Sequence, residues 1–279
     1  MIKEAAKYYN LKELWNNLSR HPENRVFIAG GSDLTISLKK GSVKTDCLVD
    51  ISDIKELSLI EDRDDHIFVG AGVKISEFKK NDLVKKYFPA MLEAIRYFAS
   101  PSIRNTATLG GNLANSSPSA DGVLSLVASR AVAVLNYYNQ RKNSDIKDIF
   151  LGPKKNSLKK DELIEGFLIP KWEHRALFFK SMARKIFGIS KAGLCICLNQ
   201  KNGFIKDISI AVSSVAPVVK RCFETESFLK DKKIDPSVIE FAMGIISDEV
   251  SPITDHRSTN DYRREIIKVF LKRALNSIR

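Results

Sequence analysis

Two short runs set adjacent glycines among small polar residues. The first, Ala29-Gly30-Gly31-Ser32-Asp33-Leu34, follows the apolar run Val26-Phe27-Ile28. The second, Thr108-Leu109-Gly110-Gly111-Asn112, lies inside a polar stretch covering residues 105–121. Glycine has no Cβ, so its backbone can take positive φ and turn successive N–H groups toward an anion that approaches closely. The chemistry on offer is main-chain binding, with a pyrophosphate as the natural occupant, and two such cradles suit the two phosphates of a dinucleotide. Either pair alone also reads as a plain turn between core elements.

Rival chemistries find little support. Gly70-x-Gly72 has Ile75 where a dinucleotide fingerprint requires its third glycine, and no Gly-x-x-x-x-Gly-Lys-Ser/Thr occurs. The histidines, His21, His66, His174 and His256, are scattered and mostly beside charged residues, which fits a surface better than a catalytic centre. Cys47, Cys195, Cys197 and Cys222 contain no C-x-x-C pair. Cys195 and Cys197 alternate within an apolar run, so burial is expected, and an iron–sulfur cluster held by this chain is not.

The formal charge of +12 arises from 45 Lys and Arg against 33 Asp and Glu, interspersed along 279 residues. That distribution describes a solvated lysine-rich surface rather than a nucleic-acid face. The densest basic stretch, residues 154–160, follows Gly152-Pro153 and reads as an exposed loop. Charge interrupts every apolar run near the start, so neither a secretory signal nor a span of about 18 apolar residues is expected, and the cytoplasm is the expected compartment.

The elements that must position these residues alternate. Leu11, Leu14, Trp15 and Leu18 recur at helical spacing, and residues 25–29 read as a buried strand that delivers the first glycine pair. Leu34, Ile36 and Leu38 suggest a short helical or extended piece. Residues 47–51 and 67–73 read as strands, with the charged run 61–65 as the turn between them. Met91, Leu92, Ile95, Phe98 and Ala99 give an amphipathic helix stopped by Pro101. The stretch 105–121 follows as a long loop, then a helix over 123–128, strands over 131–135 and 162–169, three more over 176–181, 193–198 and 208–215, and a final amphipathic helix through Ile266, Phe270, Leu271 and Ala274.

The run Ala99-Ser100-Pro101-Ser102-Ile103-Arg104-Asn105-Thr106-Ala107-Thr108-Leu109-Gly110-Gly111-Asn112-Leu113, followed by Ser117-Pro118-Ser119-Ala120-Asp121, closely resembles the signature of the medium, flavin-binding subunits of molybdenum hydroxylases. That family includes xanthine dehydrogenase and carbon monoxide dehydrogenase. Residues 29–34 resemble its first flavin loop, Leu48-Val49-Asp50-Ile51 the following strand, and Phe179-Lys180-Ser181-Met182-Ala183-Arg184 with Ser213-Ser214-Val215-Ala216-Pro217 its C-terminal domain. The likeness covers nearly the whole chain.

The resemblance implies an α+β protein: a PCMH-type FAD-binding domain of two α/β subdomains, residues 1–55 and 56–170, then a sheet-and-helix domain of the CO dehydrogenase flavoprotein type over 171–279. It implies FAD extended between the subdomains. Ile28, Ala29, Gly30, Gly31, Ser32, Asp33 and Leu34 with Thr108, Leu109, Gly110, Gly111 and Asn112 would form the phosphate and ribityl cradle. Phe98 would lie near the adenine, although its spacing equally fits a core residue. Asp121 would stand near the flavin or simply cap a helix, and Ile164 and Lys180 would line the ring, with a solvated strand-edge lysine as the alternative for Lys180. No side chain is expected to be catalytic. Implied partners are a molybdopterin-binding large subunit and a 2Fe-2S small subunit, with NAD or another acceptor taking the electrons. Where relatives often carry an acidic pair, this chain has Lys185-Ile186-Phe187-Gly188-Ile189-Ser190. A stand-alone FAD-dependent oxidoreductase of the same fold and a non-catalytic flavin-binding module are the competing readings.

Overall fold

The computed structural model describes residues 2–184 and 187–278. The first part runs β1 (Glu4–Lys7), α1 (Leu11–Asn17), β2 (Arg25–Ile28), α2 (Leu34–Lys39) and β3 (Cys47–Asp50). Asn10 caps α1, its side chain accepting from the Glu13 amide at 2.8 Å. Leu11, Leu14 and Trp15 form the buried stripe of that helix. The three strands form a parallel sheet in the order β1-β3-β2, with α1 covering a core that includes Leu14, Leu18, Cys47 and Val49.

The middle part contains β4 (Ile60–Asp62), β5 (His66–Gly70), α3 (Asp82–Tyr87), α4 (Pro89–Ile95), α5 (Pro101–Arg104), α6 (Leu109–Ala114), α7 (Asp121–Ala128), β6 (Val132–Tyr137), β7 (Gln140–Asp145), α8 (Ile146–Ile149), β8 (Phe150–Gly152), β9 (Lys155–Asn156) and β10 (Leu163–Pro170). Its antiparallel sheet has the order β4-β5-β10-β6-β7. The central strand β10 carries Phe167, wholly buried among Val69, Leu109 and other members of one apolar cluster.

The last part holds β11 (Arg175–Met182), β12 (Ser190–Lys201), β13 (Phe204–Ser213), β14 (Lys220–Arg221), α9 (Phe223–Leu229), α10 (Pro236–Glu249) and α11 (Asn260–Asn276). Its antiparallel sheet follows chain order. Alternate residues of β12 point to opposite faces, so Cys195 and Cys197 join the core built around α7, while Leu194, Ile196 and Leu198 join Ile267 and Phe270 in a second core with α10 and α11. Burial on both faces explains why this strand reads as an unbroken apolar run. All four cysteines are free and buried.

Several local expectations need correction. Residues 60–62, which include the start of the charged run, are a strand paired with β5, because an edge strand needs only one apolar face, and the turn is confined to residues 63–65. The helix before Pro101 ends at Ile95, and Pro101 instead opens α5, where proline is favoured because the first-turn N–H has no helical acceptor. The stretch 105–121 is no continuous loop, since α6 occupies its centre. The strand through 131–135 extends to Tyr137, and the polar β7, which shows no apolar alternation, pairs with it. Within the basic stretch 154–160, Lys155 and Asn156 pair with β8 in a tight hairpin, while residues 157–160 lie outside any helix or strand. Lys185 and Ile186, within the departing segment, lie outside the described residues.

Truncating Phe167 to Ala should lower stability by about 3–5 kcal/mol, the usual cost of emptying a buried aromatic site. Urea denaturation followed by circular dichroism tests this, and a change below about 1 kcal/mol would place Phe167 outside the core that organises the middle sheet.

Candidate functional site

The first glycine loop leaves the carboxyl end of β2, inside a parallel sheet, and runs directly into α2. Gly31 adopts φ +64°, a left-handed conformation that a side chain would strain. Its carbonyl accepts from the Thr35 amide at 3.1 Å and the Thr35 hydroxyl at 2.7 Å, which fixes the turn. The amides of Gly30, Gly31, Ser32, Asp33 and Leu34 have no acceptor among the described residues. Five consecutive main-chain donors therefore stand open at one turn, where the partial positive charge of α2 adds to them.

The second loop behaves differently. Leu109 N donates to Val73 O at 3.2 Å, Gly110 N to Ala71 O at 2.8 Å, Gly111 N to Thr108 Oγ1 at 3.1 Å and Asn112 N to Thr108 O at 3.0 Å. Thr108 is the N-cap of α6, so its hydroxyl is also engaged. The expectation that both glycine pairs present free main-chain donors is thus met by the first loop and not by residues 109–112. Gly110 serves packing instead: a Cβ there would stand 2.5 Å from the Ala71 Cβ.

Gly30 joins the two loops. A Cβ on it would sit 1.8 Å from the carbonyl oxygen of Thr106, so the backbones touch and only glycine fits. Side chains reinforce the contact, as Asp33 accepts from Asn115 Nδ2 at 2.9 Å and from Lys154 Nζ at 2.9 Å. No motif in the sequence marks Lys154 or Asn115 for this role. The ion pair neutralises the Asp33 carboxylate, which would otherwise repel an anion held by the open amides.

Between the loops and the sheets lies a cleft of about 130 Å³, lined among others by Phe27, Ala29, Thr108, Gly111, Glu162 and Ile164. Ile164 is buried on β10 next to an irregularity in its pairing with β6. Asn112 faces the start of α7, its Oδ1 accepting from Val123 N at 3.2 Å. Phe98 is 6% exposed and packs in the core around α7, as its apolar spacing allows.

Asp121 and Lys180, distant in sequence, meet at 2.6 Å with side chains only 8% and 3% exposed. Asp121 is the first helical residue of α7 rather than its cap, and Lys180 is not a solvated strand-edge lysine although β11 is an edge strand. Lys180 also donates to the Tyr97 carbonyl at 3.3 Å. The Oδ1 atom of Asp121 is buried without a partner among the described residues. Burial pushes the Asp121 carboxyl up from 3.8 to about 6, against the pull of the Lys180 charge and hydrogen bond.

Because the folded state holds the Asp121 proton more tightly than the unfolded chain does, the carboxyl should reduce stability as pH rises from about 4 to about 6 and then level off. Replacing Lys180 by Met removes the opposing charge, so the carboxyl pKa climbs further and the decline should continue beyond about pH 6. Denaturation midpoints of cofactor-free protein measured between about pH 4 and about pH 8 test this. Parallel profiles for the two proteins would show the pair to be uncoupled.

A bound diphosphate fits this geometry at the run of open amides, which offers main-chain donors to an anion. Comparison with known proteins agrees. The family described as FAD binding domain in molybdopterin dehydrogenase matches residues 5–172, and the CO dehydrogenase flavoprotein C-terminal domain matches residues 177–278. The chain is 27% identical to the glyceraldehyde dehydrogenase medium chain of Sulfolobus acidocaldarius, covering 92% of this chain and 91% of that one. It is 26% identical to the xanthine dehydrogenase FAD-binding subunit of Escherichia coli O157:H7, covering 98% and 96% respectively. A carbon monoxide dehydrogenase structure from Hydrogenophaga pseudoflava superposes with TM-score 0.92 at 25% identity, covering 100% of this chain and 97% of that one. The chain therefore belongs to the molybdopterin dehydrogenase FAD-binding family and is a FAD-binding medium subunit of the molybdenum hydroxylase type.

Proposed function

We propose that this subunit is the flavin relay of a heteromeric molybdenum hydroxylase, taking electrons from 2Fe-2S clusters on a small partner and passing them to NAD or another acceptor. A large partner would hold molybdopterin and the organic substrate. FAD, when bound, supplies the exchange between one-electron and two-electron carriers. The observation that carries the reading is the run of open amides at residues 30–34 beside the cleft.

In this reading Gly30 to Leu34 hold the diphosphate, with Ile28 and Ala29 forming the entry of that loop. Thr108, Leu109, Gly110 and Gly111 form the opposing wall by shape rather than by amide donation. Asn112 contributes its side-chain amide, Ile164 packs against the ligand, and Phe98 supports the adenine end from within the core. Asp121 and Lys180 provide a buried charged pair on the C-terminal side, the open Oδ1 of Asp121 being available to a ligand donor. The domain limits 1–55, 56–170 and 171–279 are proposed as the units that enclose the cofactor. The cytoplasm is the proposed compartment.

Xanthine is not singled out as the substrate for this chain. Its similarity to glyceraldehyde and xanthine dehydrogenase subunits is comparable, which is expected if the organic substrate is bound by another subunit.

Purification from the native source should give a yellow protein accompanied by two further chains. Anaerobic addition of NADH should bleach the flavin absorbance if NAD is the acceptor, and unchanged absorbance would rule NAD out. Gly30→Val should reduce FAD occupancy at least about tenfold, because the new side chain must displace the Thr106 carbonyl. Full occupancy in a folded Gly30→Val protein would remove the phosphates from this loop.

A further inference from the structure

We propose that Glu4, His21 and Cys47 form a site for one tetrahedral divalent transition-metal ion, zinc by preference, on the N-terminal sheet. Their donor atoms, a carboxylate oxygen, an imidazole nitrogen and a thiol sulfur, all lie within 4.8 Å of one another. These are the three ligand types zinc accepts, and the mixture of sulfur and nitrogen disfavours calcium or magnesium.

The fold brings them together for definite reasons. Glu4 and Cys47 are directly paired in the parallel β1–β3 ladder, so both side chains emerge on one face. Tyr8 follows Glu4 by four residues just beyond β1. Its hydroxyl bonds Nε2 of His21, while Nδ1 of His21 meets Glu4. Holding one ring nitrogen by an outer partner and turning the other toward the ion is the usual arrangement for a metal-binding histidine. Metal–ligand bonds of about 2.0–2.3 Å in a tetrahedron set donor separations of about 3.3–3.8 Å. Side-chain movement alone reaches that spacing, and the side chain of Glu4, 41% exposed, can supply it.

The electrostatics are favourable. One thiolate and one carboxylate balance a divalent ion. Arg25, opposite Cys47 on β2, is a nearby opposing charge, and its guanidinium is occupied by Asp161, with Nε to Oδ1 at 2.8 Å. Glu4, with its side chain 41% exposed, gives the site access to solvent, and water would complete the tetrahedron. The site is separate from the cleft: it lies at the amino ends of the three strands, whereas the glycine loop leaves the carboxyl end of β2, about 10 Å along the strand.

The full chain, without an affinity tag and stripped by a chelator, should bind one equivalent of Co²⁺ with a near-ultraviolet sulfur-to-cobalt charge-transfer band that Zn²⁺ abolishes. Cys47→Ser should remove the band, and Glu4→Gln, at a half-exposed position, should weaken binding at least about tenfold. FAD content should be unchanged in both. A silent spectrum, a band that survives Cys47→Ser in folded protein, or equal affinity in Glu4→Gln would overturn the site.

Discussion

The contact between the Gly30 backbone and the Thr106 carbonyl is the constraint on which the rest of the site depends. It presses the end of a parallel strand in one part of the chain against a helical turn in another. Steric exclusion sets the geometry here, since a Cβ would overlap the carbonyl oxygen and no side chain could intervene. The second loop saturates its own amides from Val73, Ala71 and Thr108, and of the two loops the first keeps amides open to an anion. Each loop's glycines consequently serve a different purpose: Gly30 and Gly31 for close approach and a left-handed turn, Gly110 for packing on Ala71.

The electrostatic layout follows from that asymmetry. Lys154 and Asn115 hold Asp33 at the first glycine loop, and the Asp121–Lys180 pair is buried between α7 and β11. A buried pair is weak evidence for stability, because desolvation can exceed the attraction. One oxygen of this pair, Oδ1 of Asp121, is left without a partner among the described residues.

Much of this was legible in the sequence because it is local. Glycine pairs after an apolar strand, the helix at Leu11 and the apolar run of β12 each follow from neighbouring residues. The meeting of Asp121 with Lys180 was not legible, since 59 positions separate them and only tertiary packing brings β11 to the start of α7. Nor could the occupancy of the Leu109 and Gly110 amides be foreseen, because their acceptors come from beyond β5, in residues 71–73. Polar β7 is silent in the sequence because a strand with exposed residues on both faces leaves no period of two. The helix α6 was hidden by two glycines and a polar context, which lower helical propensity but do not override a threonine cap and packing on Ala71.

The double burial of β12 also bears on how this chain could be rearranged. Phe178, Cys195, Cys197 and Ala211 present one side of the C-terminal sheet to α7, and the reverse side is sealed by α10 and α11. Cutting between the two homology units at about residue 172 would strip α7 of its cover and bare an oily face on each fragment. Exchanging the tail for another would require the replacement to carry the complement of α7 with it.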